Sequence, residues 1–324
     1  MNVKFFLPDS EQELMSKDLF KGFAITTLIS AVAIYIPLIG LSFAILIPLP
    51  ALYYRKKLGR RFGALVPAMA ILVILTVSGG ISTDIFFIIG LLLIGFVLSE
   101  FLELKLSVEQ TVLSVCCIVF VSFAAVMVFY SNISGTTVSA MISDYVNKNL
   151  ALSITMYEDM GVPAKNIDMI SGAIEKIEYV LVRIIPAIVI VSTLFVTWTS
   201  ILLARPVFKA GNLVCPDFGR LNHWKAPEYL VWVVITCGVM LALPDKTIKI
   251  FGLNGLLVLI TIYFFEGIAI VSFYFEKKKM PRTLKAILYT LIAIQQIAVL
   301  IVIGLGFFDT WFDFRKLEVD TGKT

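Results

Sequence analysis

Long unbroken runs of apolar residues dominate the chain, and short polar or basic stretches separate them. A helix that crosses a bilayer needs about 20 mostly apolar residues, so each long run predicts a transmembrane helix. The run 23–54 is too long for one span and has Pro37 and Gly40 near its middle, which predicts two short helices. Further runs follow at 64–78, 85–102, 111–130, 179–204, 229–243, 251–275 and 286–308. The pattern predicts about nine spans, or eight if 23–54 is a single span.

The composition separates this chain from soluble proteins. Of its 324 residues, 59% are hydrophobic and 15% are charged, whereas soluble domains average roughly 45–50% and about 25%. A membrane β-barrel is disfavoured because its strands alternate apolar and polar residues and form no long apolar runs. We therefore predict an all-α, polytopic transmembrane helical bundle. Residues 1–324 are expected to form a single integral membrane domain with the lipid bilayer as its partner.

Basic residues predict the orientation in the membrane, since Lys and Arg are retained in short cytoplasmic loops. The basic stretches 55–61 and 277–285 both lie inside if the N-terminus is cytoplasmic. With nine spans, the C-terminus is then outside. Residues 1–20 become a cytoplasmic or interfacial segment, 205–228 a cytoplasmic loop and 309–324 an extracytoplasmic C-terminal tail.

One long insertion, 131–178, interrupts the series of spans. Apolar residues recur at helical spacing on both sides of a break at Gly161 and Pro163, which predicts two amphipathic helices. The insertion carries six acidic and three basic residues, which fits an extracytoplasmic location. Its apolar sides would lie on the membrane surface or pack over the bundle.

Glu266 is the clearest candidate functional residue because it lies deep inside the run 251–275. An ionisable group in a span costs at least about 2.5–3.5 kcal/mol on insertion scales, so it usually faces the bundle interior and has a partner. Gln295 and Gln296 lie near the middle of the next span, which predicts a hydrogen bond between Glu266 and one of these amides. Two interpretations stay open: a site for a ligand or a proton-coupled step, and a polar clamp between helices.

Two further polar residues are candidates for ligand binding near the outer ends of their spans. Arg183 could extend to the headgroups, pair with Glu175 or Glu178, or meet an anionic ligand. Asn254 precedes Glu266 on the same predicted helix. Its side chain could equally serve as a cap.

Aromatic and charged residues alternate after the last span. Asp309 and Asp313 are four residues apart and would share one face of a continued helix. We expect an interfacial cuff that ends the span or, alternatively, a gate at the outer mouth. The candidate residues for the gate or interface are Asp309, Trp311, Asp313, Arg315 and, before another span, Trp224, since Trp is favoured at the interface.

The sequence argues against several kinds of chemistry. His223 is the single histidine, which excludes a multi-histidine metal site and a conventional Ser/His/Asp triad. The phosphate-binding pattern GxxxxGK[ST] does not occur, so the chain cannot hydrolyse ATP by that route. We expect no enzymatic activity, no cofactor, no metal and no nucleic-acid partner.

Three short motifs resemble the YybS-like family of bacterial predicted membrane proteins, which carries a domain of unknown function. They are Tyr263-Phe264-Phe265-Glu266-Gly267, Trp224-Lys225-Ala226-Pro227, and Gly306-Phe307-Phe308-Asp309 followed by Asp313-Phe314-Arg315. The resemblance covers most of the chain and implies a bacterial inner-membrane protein. In that family the position of Glu266 is commonly Gln, which could still hydrogen-bond a ligand or a neighbour.

The family is distantly similar to the substrate-binding membrane subunits of energy-coupling-factor transporters. Those subunits bind vitamins or similar small molecules and rely on separate ATPase subunits. The similarity implies a transporter-like protein that binds a small molecule between helices without its own ATPase. The alternative is a membrane scaffold or assembly factor that binds protein partners through 131–178 and the basic cytoplasmic loops.

Overall fold

The computed structural model describes residues 9–79, 83–104, 106–214 and 219–316, which are helical apart from short connections. Parts of the predicted segments 1–20, 205–228 and 309–324 therefore lie outside the described residues. The helices are α1 (Asp9–Tyr35), α2 (Pro37–Ala44), α3 (Pro48–Val77), α4 (Thr83–Glu103), α5 (Val108–Ser134), α6 (Val138–Asp159), α7 (Ala164–Ser171), α8 (Ile174–Ala210), α9 (Leu230–Ala242), α10 (Lys246–Lys277), α11 (Arg282–Ile294) and α12 (Gln296–Phe312). A 3-10 turn, Leu221–His223, precedes α9. The predicted all-α fold is confirmed.

By length and composition, the described residues contain fewer candidate membrane spans than the sequence predicts. In the described part of the chain, six segments are long and apolar enough to span a bilayer: Gln12–Tyr35, Ser42–Val77, Ile85–Glu103, Val108–Ser134, Ile174–Ala210 and Lys246–Lys277. The bent pair α11 and α12 makes a seventh if it is one span. The run 229–243 forms only the 13-residue α9, about 20 Å long against a bilayer core of roughly 30 Å.

The segment Ser42–Val77 is counted once although a sharp reversal inside α3 divides it into two parts, which correspond to the second helix predicted in 23–54 and to the run 64–78. Gly59 has a φ of 78°, which interrupts the helix because this backbone conformation favours glycine. A Cβ built on Gly63 would overlap the backbone of Arg55, although residues eight apart on a straight helix are separated by about 12 Å. The second half of α3 therefore runs back beside the first, and the basic stretch 55–61 forms the turn.

The chain divides into two compact units. Unit 1 comprises Met1–Val126 and Ser192–Phe218, and unit 2 comprises Met127–Val191 and Gly219–Thr324. In unit 1, α3 packs against α1 and α4.

Ion pairs join the turn of α3 to its neighbours in unit 1. Arg55 has a buried side chain whose Nη2 lies 2.7 Å from Glu100 on α4, and its Nη1 contacts Glu103. Lys57 binds Asp18 on α1 at 2.7 Å. The basic residues that the sequence places in a loop thus hold three helices together.

In unit 2, α10 packs against α9 and α12. It begins where the carboxylate of Asp245 accepts a hydrogen bond of 2.9 Å from the Ile248 amide, a helix cap that satisfies one free N–H group. A small apolar core forms beside it from Ala226, Val231 and Tyr263. Non-helical residues before α9 are therefore packed onto α10.

The first helix predicted in the insertion is present, whereas the second predicted series of apolar residues, 167–181, is divided between α7 and the start of α8. The first is α6, where Thr137 caps the start by accepting a hydrogen bond of 3.2 Å from the Ala140 amide. Helix α7 follows a break at Gly161, whose φ is 73°. Large apolar side chains of α6, including Leu152 and Met156, are exposed.

Candidate functional site

Glu266 lies where α10 crosses α12, and it is 1% exposed. The two helices touch through glycine. A Cβ built on Gly267 would overlap the carbonyl of Val302, and one built on Gly306 would overlap the carbonyl of Tyr263. Small residues let helix backbones approach this closely, so the residues that follow the crossing on α12 come within reach of Glu266.

The cation nearest to Glu266 is Arg315, whose guanidinium group is fully buried. Its Nη2 atom lies 2.8 Å from Oδ2 of Asp309 and 3.6 Å from Oε1 of Glu266. The first distance is that of a charge-assisted hydrogen bond, and the second is too long for one. Arg315 is therefore the direct partner of Asp309, while Glu266 receives only the longer-range attraction.

A tight turn after α12 places Arg315 in the interior. Asp313 ends the helix in the left-handed conformation, with a φ of 39°, which Asp tolerates better than most residues. The Phe314 amide donates a hydrogen bond of 2.8 Å to Oδ1 of Asp309, and its carbonyl accepts one of 2.7 Å from the Tyr274 hydroxyl. The turn directs the next side chain, Arg315, back against α10.

The same guanidinium group holds the loop before α9. Nη1 of Arg315 donates to the carbonyl of Trp224 at 2.7 Å and to that of Asn222 at 3.2 Å. The Asn222 amide group in turn donates to Glu276 near the end of α10, at 2.5 Å. One arginine thus joins the loop, the end of α12 and α10.

Several buried polar atoms of this site find no hydrogen-bond partner among the described residues. They are both carboxylate oxygens of Glu266, the hydroxyl of Tyr263 and Nε of Arg315. The Ala226 amide and the Lys225 ammonium group also lie near Glu266, but neither has the distance and angle of a hydrogen bond to its carboxylate oxygens. We call Tyr263, Glu266, Asp309 and Arg315 the Glu266 cluster.

The hydrogen bond predicted between Glu266 and Gln295 or Gln296 is not formed. Gln295 has a φ of −93° and a ψ of 110°, which end α11, and α12 then departs at a bend of 100°. Both glutamine side chains are exposed at this break. The sequence shows one unbroken apolar run there, which predicts a single helix that places both glutamines at the depth of Glu266. That prediction is wrong.

Asn254 and Arg183 meet each other, away from the cluster. The Asn254 side chain donates a hydrogen bond of 3.0 Å to the carbonyl of Arg183 and accepts one of 3.2 Å from the Ala187 amide. Those two backbone groups are four residues apart on α8, so the Asn254 side chain binds the carbonyl and the amide of one helical turn. The Arg183 guanidinium group stacks on Tyr179 at 3.6 Å and is exposed.

The candidates for a gate separate into two groups. Asp309 and Arg315 are buried in the Glu266 cluster, whereas Trp311 and Asp313 are exposed. The face predicted for Asp309 and Asp313 is not formed because α12 ends at Phe312. A role of these residues in a gate stays a prediction.

Trp224 packs against the apolar core of Tyr263, and its carbonyl binds Arg315. The sequence placed 205–228 and 309–324 on opposite sides of the membrane. Since Trp224 and Arg315 are in contact, they cannot lie in loops on opposite faces, and this part of the predicted topology is wrong. The bend at Gln295 returns α12 toward the end of α10, where Tyr274 meets Phe314.

Sequence reasoning selected Glu266, Asp309 and Arg315 separately but missed that they form one cluster. It also missed Tyr263 as a buried polar neighbour and Arg55 as the centre of an ion-pair network. A usable signal was present. An ionisable residue within a span usually has a polar or charged partner. Arg315 is a candidate for that partner because it follows an aromatic-rich segment that begins at a pair of glycines.

Comparisons with known proteins were made for the whole chain. The family described as "Predicted membrane protein (DUF2232)" matches residues 24–310, a region that contains Glu266 and Asp309. The chain is 23% identical to the uncharacterized protein YybS of Bacillus subtilis (strain 168) over 301 residues, which cover 91% of this chain and 94% of that protein. No solved structure matches.

Proposed function

Starting from a chain that belongs to the DUF2232 family of predicted membrane proteins, we propose that it is a transporter-like protein of the bacterial inner membrane. In this proposal it binds a small molecule between helices of unit 2. It acts by binding rather than catalysis, and it has no ATPase of its own.

The observation that carries the proposal is the state of Glu266. Its side chain is 1% exposed, yet neither carboxylate oxygen has a hydrogen-bond partner among the described residues. Buried polar groups in native proteins are almost always hydrogen-bonded, and ionisable residues within spans commonly mark pathways for ions or substrates. A ligand group that bonds to these oxygens would complete the site.

The alternative of a polar clamp has less support. A clamp requires that Glu266 bond to a neighbouring helix, whereas its nearest cationic atom is 3.6 Å away and engaged with Asp309. Glycine contacts already hold α10 to α12. The break between α11 and α12 also supports a transporter-like role, because discontinuous helices often form the substrate sites of transporters.

We further propose that the basic stretches 55–61 and 277–285 lie in the cytoplasm, following the distribution of Lys and Arg. Asn222 is hydrogen-bonded to Glu276, beside the second stretch. The loop before α9 and the end of α12 then share this cytoplasmic end. Separate ATPase subunits, if the protein uses them, would have access to it there.

Native mass spectrometry of the protein, gently extracted from its own membrane, tests the proposal. The wild type is expected to carry a small molecule, and Glu266→Gln is expected to lose most of it. Glu175→Gln is the control, because it removes the same charge from an exposed position of unit 2 outside the Glu266 cluster. Absence of a small molecule, or equal retention by all three proteins, would refute the proposal.

The scaffold remains the second candidate because α6 exposes apolar side chains such as Leu152 and Met156, and Met160 directly after it is also exposed. Isolated exposed apolar residues are common, but several on one insertion suggest a contact surface. Stoichiometric protein partners without any small molecule in the same spectra would favour this function. Those partners should then be lost when residues 138–171 are deleted.

A further inference from the structure

The Glu266 cluster combines two carboxyl groups with one guanidinium group in a space closed to water. Glu266 is 1% exposed, Asp309 0% and Arg315 2%. If both carboxyl groups are ionised, the cluster carries one net negative charge. An uncompensated charge is strongly disfavoured inside a protein, so the cluster requires one more positive charge.

The geometry shows which carboxyl group lacks compensation. Both oxygens of Asp309 are engaged, one by Arg315 at 2.8 Å and the other by the Phe314 amide at 2.8 Å. Nη1 of Arg315 donates to two backbone carbonyls. Asp309 is therefore fully paired, whereas both oxygens of Glu266 and Nε of Arg315 have no hydrogen-bond partner among the described residues, and the missing positive charge is that of Glu266.

The other groups around Glu266 do not supply the missing charge. Lys225 faces it from the loop before α9, but its ammonium group is 3.7 Å from Glu228 and partly exposed to solvent. Tyr263 lies one helical turn away on α10 and provides a neutral hydroxyl. From α12, Asp309 adds repulsion and Arg315 is already paired.

We propose that Glu266 binds a single positive charge, which arrives either as a proton or as the ammonium group of an amine solute. In the resting protein the carboxyl group carries the proton. When an amine enters, its ammonium group replaces that proton and pairs with the carboxylate, and the proton leaves to water. The binding of an amine rests on the proposed function and assigns its substrate class. The protonation of Glu266 does not depend on that function.

Infrared spectroscopy of the full chain in a detergent free of ester groups tests this charge balance. The C=O stretching band of a protonated carboxyl group is expected in the wild type and absent in Glu266→Gln. Asp309→Asn is the decisive variant because it leaves one carboxylate for one guanidinium group. Glu266 should then ionise, and the band should disappear although Glu266 is still present.

A second variant, Arg315→Gln, keeps the proposal testable if Asp309→Asn does not fold. Arg315→Gln removes the cation, so both carboxyl groups should become protonated and the band should grow to about twice its wild-type area. Folding of each variant is checked by circular dichroism.

Propylammonium chloride is the probe for the amine, with n-propanol at equal concentration as a neutral control of similar size. Loss of the wild-type band with propylammonium alone supports an ammonium group as the bound charge. A band that neither compound changes supports a proton alone. A wild type that carries no amine by native mass spectrometry and still lacks the band at mildly acidic to mildly alkaline pH would overturn the proposal, as would a band that persists in Asp309→Asn.

The two proposals can fail separately. If native mass spectrometry finds no small molecule but the band behaves as described, the binding function fails while the proton site stands. If a neutral or anionic solute is bound and the band is absent, the site binds a ligand but its charge assignment is wrong.

Discussion

Replacing Gly306 by Ala should push α12 away from α10. The new Cβ would overlap the Tyr263 carbonyl oxygen and lie 2.9 Å from the Gly267 nitrogen. Both obstacles are backbone atoms of a packed helix, so no side chain can rotate to make room. Gly304 offers a matched control two residues earlier on α12, because a Cβ there meets nothing within 4 Å.

The expected magnitude comes from two opposing effects. Inserting a methyl group into a packed contact costs about 1–3 kcal/mol. Exchanging Gly for Ala inside a helix stabilises it by about 0.8–1 kcal/mol. Gly304→Ala should show only the second effect, and Gly306→Ala both. The difference in unfolding free energy between the two variants should therefore be about 1–3 kcal/mol, with Gly306→Ala the less stable.

The assay is unfolding of the purified protein by titration with a denaturing detergent, followed by circular dichroism. The difference between the variants is the quantity to compare, because it cancels the helix preference that both share. If the two variants agree within about 0.5 kcal/mol, the scatter of an unconstrained position, then α10 and α12 do not touch through glycine. The contact that brings residues after the crossing on α12 to Glu266 would then be refuted as well.

Three other substitutions, one of them paired with a control variant, are testable in the same titration. Arg55→Met should cost about 1.5–3 kcal/mol because it removes charged hydrogen bonds to α4, whereas the exposed Lys17→Met should cost under about 1 kcal/mol; equal effects would contradict the Arg55 network. Asn254→Leu should cost about 1–3 kcal/mol by leaving the Arg183 carbonyl and Ala187 amide without its side chain, and an unchanged stability would show that α8 does not depend on it. Gly59→Ala should cost about 1–2 kcal/mol because alanine is strained at a φ of 78°, and a gain in stability would mean that α3 has no reversal there.

The sequence predicts the helical class well because one apolar run suffices to define one buried helix. Most runs after residue 64 correspond to helices whose ends differ by a few residues from the runs. The insertion is likewise predictable, since Gly161 and Pro163 break its periodicity. Helix formation and the break in the insertion depend on residues that are close in sequence, so the hydrophobic pattern predicts them directly.

The site is less predictable because it depends on where the chain changes direction. Nothing in the apolar run 286–308 requires a bend, yet Gln295 separates two helices at 100°. That bend exposes the predicted partner of Glu266 and brings in Arg315 instead. Gly59 reverses α3 inside the basic stretch that the sequence predicts as a loop between two spans, but the pattern does not identify the residue that makes the turn. Single backbone conformations of this kind are invisible to hydrophobic periodicity.

The bond network of Arg315 has a consequence for biosynthesis. The ribosome makes α10, with Glu266, well before it reaches Arg315, so the nascent chain enters the membrane with this carboxyl group unaccompanied. The loop of Asn222 and Trp224 is also synthesised earlier and must wait for the guanidinium group that fastens it. Final assembly of unit 2 is therefore a late event, because the guanidinium group that joins the loop, α12 and α10 is the last of these groups to be synthesised.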